Sequence, residues 1–91
     1  MELYVIKRNG DYKSFESYKI RDAIEKSFNS VSVPYDKRVF SIVLEFLEQK
    51  NVWSVEEIQD IIEKTLFEKS YFSVMRSFML FRHTRKLQRE H

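Results

Sequence analysis

Leu3-Tyr4-Val5-Ile6-Lys7-Arg8-Asn9-Gly10-Asp11-Tyr12-Lys13-Ser14-Phe15 is the stretch on which the fold turns. Its first four residues are aromatic, β-branched or otherwise apolar and read as a strand. Asn-Gly between two extended segments is a strong hairpin signal, because a two-residue type I′ turn needs positive φ at both central residues. Gly10 is the one glycine of the chain, so its position carries weight. A two-residue turn at Asn9-Gly10 sets Arg8 opposite Asp11, Lys7 opposite Tyr12, Ile6 opposite Lys13, Val5 opposite Ser14 and Tyr4 opposite Phe15. Val5 and Lys7 then share one face of the hairpin, with Ile6 and Phe15 on the other.

Helices follow the hairpin. The first is predicted from Ser17, with Ile20, Ala23, Ile24 and Phe28 at helical spacing. Asn29 to Tyr35 breaks the pattern and contains the one proline, Pro34. A second helix is predicted over Asp36 to Gln49. Its buried face is Val39, Ile42, Val43, Phe46 and Leu47, widened by Phe40 and Leu44, which suggests cover on more than one side. Asn51-Val52-Trp53 suits a short extended piece. Ser54 and Glu57 have the spacing of a capping box and open a third helix, which carries Ile58, Ile61, Ile62 and Leu66 inward. Ser70 is read as the start of a fourth helix, in which Val74, Met75, Phe78, Met79 and Arg82 recur at helical spacing. The sum is an α+β domain: four helices with a β-hairpin or a three-stranded sheet.

The chain has 91 residues, enough for one domain spanning residues 1–91. Eight Phe and five Tyr supply the large burial per residue that a small core needs. Cysteine is absent, which excludes a disulfide scaffold, a thiolate zinc site and a cysteine nucleophile. His83 and His91 are the two histidines and form no metal-binding pattern, so no metal site is expected. A single glycine leaves no room for a Walker A or GxGxxG loop, so any phosphate must be held by side chains and helix ends. No Ser-His-Asp set is visible, the carboxylates read as solvated helix faces, and no enzyme active site is expected within the chain. No apolar run reaches the roughly 18 residues of a membrane span.

Net charge is only +2, but the cations are unevenly placed. Lys7, Arg8 and Lys19 converge near the hairpin. Lys19 falls in the first turn of a helix, where a cation opposes the helix dipole and an anionic ligand would offset that cost. Backbone N–H groups at the same helix start favour phosphate. Arg82, Arg85 and Lys86 add positive charge in the last helix. These residues by themselves describe an anion-binding surface on an α+β domain.

Four stretches, in order along nearly the whole chain, resemble one known family, the ATP-cone domain. Val5-Ile6-Lys7-Arg8-Asn9-Gly10 is similar to its opening Val-x-Lys-Arg-Asp-Gly. Phe15-Glu16-Ser17-Tyr18-Lys19-Ile20 with Ala23-Ile24 is similar to its Phe-(Asp/Asn)-x-x-Lys-Ile and the Ala-Ile that follows. Val55-Glu56-Glu57-Ile58-Gln59-Asp60 with Glu63 resembles the third-helix motif. Tyr71, Val74 and Phe78-Met79-Leu80-Phe81-Arg82 with Arg85 resemble its C-terminal pattern. The chain departs from the family at Asn9 (usually Asp), at Phe78 and Phe81 (Tyr), at Gln59 (His in some members) and at Lys13 (a carboxylate in some).

The resemblance implies a four-helix bundle capped by a small sheet, with ATP or dATP held beneath the hairpin. It implies that Val5 meets the base, that Lys7, Arg8, Lys19 and Arg85 bind phosphates, and that Val55 and Gln59 lie near the ribose. Mg2+ would accompany the nucleotide, with Glu16 or the phosphates as its ligands. The implied role is allosteric regulation of a cytoplasmic ribonucleotide reductase, the anaerobic triphosphate-reducing type being most similar. ATP and dATP would favour different oligomeric arrangements, with the reductase catalytic domain or a second copy as partner. Two competing readings are a nucleic-acid-binding domain using the basic last helix and a degenerate cone that serves only protein association. The weak net charge speaks against the first, and the intact Lys7, Arg8 and Lys19 speak against the second.

Overall fold

A computed structural model describes the backbone of residues 2–89 and the side chains of residues 2–83. Strand β1 (Tyr4–Ile6) and strand β2 (Tyr12–Ser14) form the hairpin. Helices α1 (Ser17–Ser30) and α2 (Lys37–Leu47) follow, then strand β3 (Val52–Ser54), helix α3 (Val55–Glu68) and helix α4 (Phe72–Arg89). The sheet order is β2-β1-β3. β1 is antiparallel to β2 and parallel to β3, the latter with Tyr4 opposite Val52, Val5 opposite Trp53 and Ile6 opposite Ser54. Parallel neighbours need a long crossover, which α1 and α2 provide. The helices close a ring, α1 packing on α2 and α4, and α3 on α2 and α4. The expected four-helix bundle with a small sheet is therefore what forms.

One side of each helix makes the core, at a spacing of four residues: Ile20, Ile24 and Phe28; Val39, Val43 and Leu47; Ile58, Ile62 and Leu66; Val74 and Phe78. Trp53 joins them from the sheet. Its indole Nε1–H donates to the Leu47 carbonyl at 2.8 Å and to the Lys50 carbonyl at 3.2 Å, so one side chain closes the end of α2 and seats β3. Ile42 and Phe46 are 37% and 38% exposed, which corrects the expectation of a helix covered on several sides. In the ring α2 packs on α1 and α3, and the side carrying Ile42 and Phe46 stays partly exposed.

The hairpin differs from its expected register by one residue. Tyr4 faces Ser14, Val5 faces Lys13 and Ile6 faces Tyr12. The Lys7 amide donates to the Asp11 carbonyl at 2.8 Å, and the Gly10 amide donates to the Lys7 carbonyl at 2.9 Å. The connection is thus three residues, Arg8-Asn9-Gly10, with Gly10 alone in the left-handed region at φ +89. Asn9 is not left-handed because its side chain builds the turn instead. Asn9 Oδ1 accepts from the Asp11 amide at 3.0 Å, and Asn9 Nδ2 donates to the Asp11 carboxylate at 3.0 Å. The shift by one residue moves Phe15 and Lys13 to the face of Val5 and Lys7.

Ser70 also departs from expectation. It does not open α4; it ends α3. Its φ is +63, its amide donates to the Phe67 carbonyl at 3.0 Å, and the Tyr71 amide donates to the Leu66 carbonyl at 2.9 Å. Ser32, with φ +57, ends α1 the same way, through Ser32 to Asn29 and Val33 to Phe28. Both are Schellman ends with serine where glycine is usual. Tyr71 then packs edge-on against Phe28 at 5.0 Å, and its hydroxyl donates to Asp36 at 2.7 Å. Asp36 is the N-cap of α2 and accepts from the Arg38 amide. The Arg38 side chain first, and the Tyr71 hydroxyl second, hold its carboxyl well below the ordinary carboxylate range. At α3 the predicted capping box is present in full, with Glu57 N–H to Ser54 Oγ and Ser54 N–H to Glu57 Oε1.

Because an L-residue in the left-handed region is strained and glycine is not, Ser32→Gly and Ser70→Gly are each expected to raise stability by roughly 0.5–1 kcal/mol. Urea unfolding measures this. A fall in the midpoint would mean that the serine side chains contribute more than the backbone strain costs.

Candidate functional site

Beneath the hairpin lies an open cavity of about 580 Å³, within the range usual for small-molecule sites. Three elements enclose it. The Val5 face of the hairpin forms one wall, the first two turns of α1 a second, and the first two turns of α3 a third. Its floor is apolar: Val5 and Phe15 from the hairpin, Ile20 and Ala23 from α1, Val55, Ile58 and Ile62 from α3, and Phe78 from α4. Its rim is cationic, with Lys7, Arg8, Lys13 and Lys19 all among the lining residues. This union of an apolar floor and a cationic rim follows from local structure. Alternation along β1 sends Val5 inward and leaves Lys7 on the same side at the strand end. The first turn of α1 puts Lys19 beside Lys13.

Of the residues singled out from sequence, Val5, Lys7, Arg8, Glu16, Lys19, Val55 and Gln59 are brought together around this cavity. The side chains of Arg85 and Lys86 lie outside the described residues. Arg82 does not face the cavity as a spare cation. Its guanidinium donates to Asp60 at 2.8 Å, to Glu56 at 2.9 Å and to Glu63. The acidic residues of α3 are therefore not merely a solvated face; three of them converge on one arginine of α4.

Lys13, Asn9, Ser14 and Phe15 line the cavity but were not among the expected site residues. The signal for Lys13 and Phe15 was present. A three-residue loop, with Asn9 and Asp11 bonded to each other, sets the register that turns both inward.

The charges around the rim are already partly matched. Lys13 Nζ lies 2.8 Å from Glu16 Oε1, and Lys19 Nζ lies 3.4 Å from the same oxygen. Tyr18 donates to Glu16 Oε2 at 2.6 Å. Arg8 pairs with Glu56 at 2.8 Å, so Glu56 joins the hairpin loop to Arg82 on α4. Among the described residues Lys7 has no ion-pair partner. Glu16 stands at the N-cap position of α1, yet its side chain makes no capping bond, because the two lysines take it. The Lys13 bond first, then the Tyr18 hydroxyl, brings the Glu16 carboxyl down to about 2. The Lys13 ammonium is raised by Glu16, and the Lys19 ammonium is lowered by Lys13 beside it. Two ammonium groups therefore share one carboxylate.

Gln59 contributes the remaining polar feature. Its Oε1 is buried and has no hydrogen-bond partner among the described residues, a cost of about 1–3 kcal/mol that a donor arriving in the cavity would relieve. A metal site is not built here. Among the described residues no group of three or more His, Asp or Glu could hold an ion, and Glu16, the one carboxylate among the lining residues, is committed to the lysines. No helix of the described residues is long and apolar enough to cross a membrane.

A family model described as the ATP cone domain matches residues 3–87. An anaerobic ribonucleoside-triphosphate reductase of Escherichia coli is 30% identical over 93 residues, covering 99% of this chain and 13% of that protein. A vitamin B12-dependent ribonucleoside-diphosphate reductase of Thermoplasma acidophilum is 35% identical over 94 residues, covering 94% of this chain and 12% of that protein. A ribonucleoside-diphosphate reductase subunit alpha of Treponema pallidum is 31% identical, covering 96% of this chain and 12% of that protein. The chain thus spans about an eighth of the length of these relatives.

The lowered Glu16 carboxyl gives a pH expectation. A folded value below the ordinary 4.5 means that the bridge to the lysines contributes stability above pH 4.5 and loses it as pH falls through about 2. A carbon-detected NMR titration of the Glu16 carboxyl should show a midpoint near 2. A midpoint at the ordinary glutamate value would mean that the bridge does not persist in solution.

Proposed function

The chain belongs to the ATP-cone family, and on that premise we propose that it is a regulatory module that binds ATP or dATP in the cavity beneath its hairpin. The observation that carries the proposal is the convergence of Lys7, Arg8, Lys13 and Lys19 on the rim of one apolar-floored cavity. A nucleoside triphosphate is a flat, largely apolar ring joined to a polyanion, and the site has a matching division. Val5 and the neighbouring apolar floor take the base. Lys7, Arg8 and Lys19 take phosphates, with Arg85 as a further cation. Val55 and Gln59 face the ribose, where the orphaned Gln59 oxygen has a use for a hydroxyl or amino donor. Mg2+ comes with the nucleotide, held by phosphate oxygens rather than by a carboxylate cluster of the protein.

The parent activity is that of a cytoplasmic ribonucleotide reductase, in which this module supplies control and the rest of the protein supplies catalysis. The sequence relatives are named ribonucleoside-triphosphate or ribonucleoside-diphosphate reductases and are about eight times longer. Control requires that ATP and dATP make different contacts in at least two states of the assembly, because a ligand shifts an equilibrium only by its differential affinity. The two nucleotides differ only at the ribose 2′ position, so the residues near the ribose must carry that difference. The partner in the switch is the reductase catalytic domain or a second copy of the module.

Isothermal titration of variants tests the assignment. Lys7→Ala should weaken ATP binding by about 1–3 kcal/mol, the scale of a hydrogen bond to a charged group; an unchanged affinity would remove Lys7 from the site. Gln59→Ala should alter the ratio of ATP to dATP affinity more than the affinity itself. Equal losses for both nucleotides would count against a ribose role.

A further inference from the structure

Lys13 and Glu16 are given no contact with the nucleotide above, and their geometry bears on how the site handles charge. Three of the four rim cations are already engaged by carboxylates: Lys13 and Lys19 by Glu16, and Arg8 by Glu56. Glu16 is the case within the cavity itself. Both ammonium groups approach the same oxygen of its carboxylate, Oε1, and Glu16 forgoes the capping bond its position at the start of α1 offers. An N-cap acid that leaves the helix end uncapped loses a contact commonly worth keeping. What it gains is two lysines held together at the mouth of an anion site.

We propose that Glu16 is an internal counter-anion occupying a polyphosphate subsite formed by Lys13 and Lys19, and that a ligand's phosphates displace it. The inference rests on the nucleotide-binding reading for its biological setting, but the chemistry it names is that of any oligophosphate. The displacement is an exchange of anions. The lysines trade one carboxylate, bearing a single charge, for phosphate oxygens of higher charge density. Glu16 is left with Tyr18, whose hydroxyl already donates to its other oxygen, and with solvent at its half-exposed edge. Phosphate binding is therefore weakened by the cost of opening two ion pairs, and the lysines are kept in position when no ligand is present. Lys7, without an ion-pair partner among the described residues, is the cation that meets an incoming anion without first giving up a carboxylate. The raised Lys13 and lowered Lys19 ammonium values accord with two cations sharing too little negative charge.

The test uses inorganic tripolyphosphate, which has no base to be recognised, titrated calorimetrically at low ionic strength into the wild-type chain, Glu16→Gln and Glu16→Gln/Lys13→Ala. Thermal unfolding confirms that each variant folds. Glu16→Gln is expected to bind tripolyphosphate between about twofold and thirtyfold more tightly, the span of two exposed ion pairs no longer competing. Adding Lys13→Ala should reverse most of that gain. Equal or weaker binding by Glu16→Gln would overturn the proposal and mark Glu16 as an organiser of the lysines rather than their competitor. A gain that survives Lys13→Ala would remove Lys13 from the subsite. ATP titrated into the wild-type chain separates the two readings. If ATP binds no better than tripolyphosphate while Glu16→Gln still gains, the nucleotide reading falls and this one stands. If ATP binds well and Glu16→Gln gains nothing, the reverse holds. If no chain binds tripolyphosphate, the subsite does not exist.

Discussion

Strands of three residues have too few hydrogen bonds to hold a parallel pair unaided, yet the pairing of β1 with β3 is the contact from which the cavity follows. β3 has no loop after it. Ser54 closes the strand and caps α3 in the same residue, so the direction of the strand fixes where the helix begins. Trp53 anchors the strand from below by bonding the end of α2 and entering the core. With β3 fixed, β1 lies beside it and carries the hairpin over the starts of α1 and α3. The space left between those three elements is the site. Loss of the Trp53 anchor would therefore disturb the cavity without touching any of its lining residues.

Electrostatics adds a second constraint. The cavity collects cations at a place where helix starts already favour negative charge. Glu16 at the start of α1 and Glu56 on α3 pair with three of these cations. Glu56 also holds Arg82, so a chain of ion pairs runs from the hairpin loop through α3 to α4.

The helical half of the fold was readable because each helix buries residues four apart and because Ser54 and Glu57 announce the start of α3. The cationic rim of the cavity was readable in outline from Lys7, Arg8 and Lys19, whose placement makes little sense for folding alone. What escaped has definite causes. The Asn-Gly pair favours a two-residue turn in isolation, but Asn9 and Asp11 bond each other and extend the loop to three residues, which reversed the faces of Lys13 and Phe15. Serine before an apolar periodic run reads as a helix start, yet with a single glycine in the chain Ser70, like Ser32 in the break after α1, is used as a left-handed helix end. The apolar width of α2 overstated its burial, since a ring of four helices leaves Ile42 and Phe46 uncovered. The acidic run of α3 read as solvated because its partner, Arg82, is nineteen or more residues away in sequence.

The central claim is that an adenine nucleotide binds under the hairpin, and an amide NMR titration of the chain with ATP and, separately, GTP tests it most directly. The account predicts saturable shifts with ATP that concentrate on residues 5–19 and 55–59, with GTP requiring much higher concentrations to move the same amides. Shifts that fail to saturate, or that saturate only on the outer surface of α4, would contradict it.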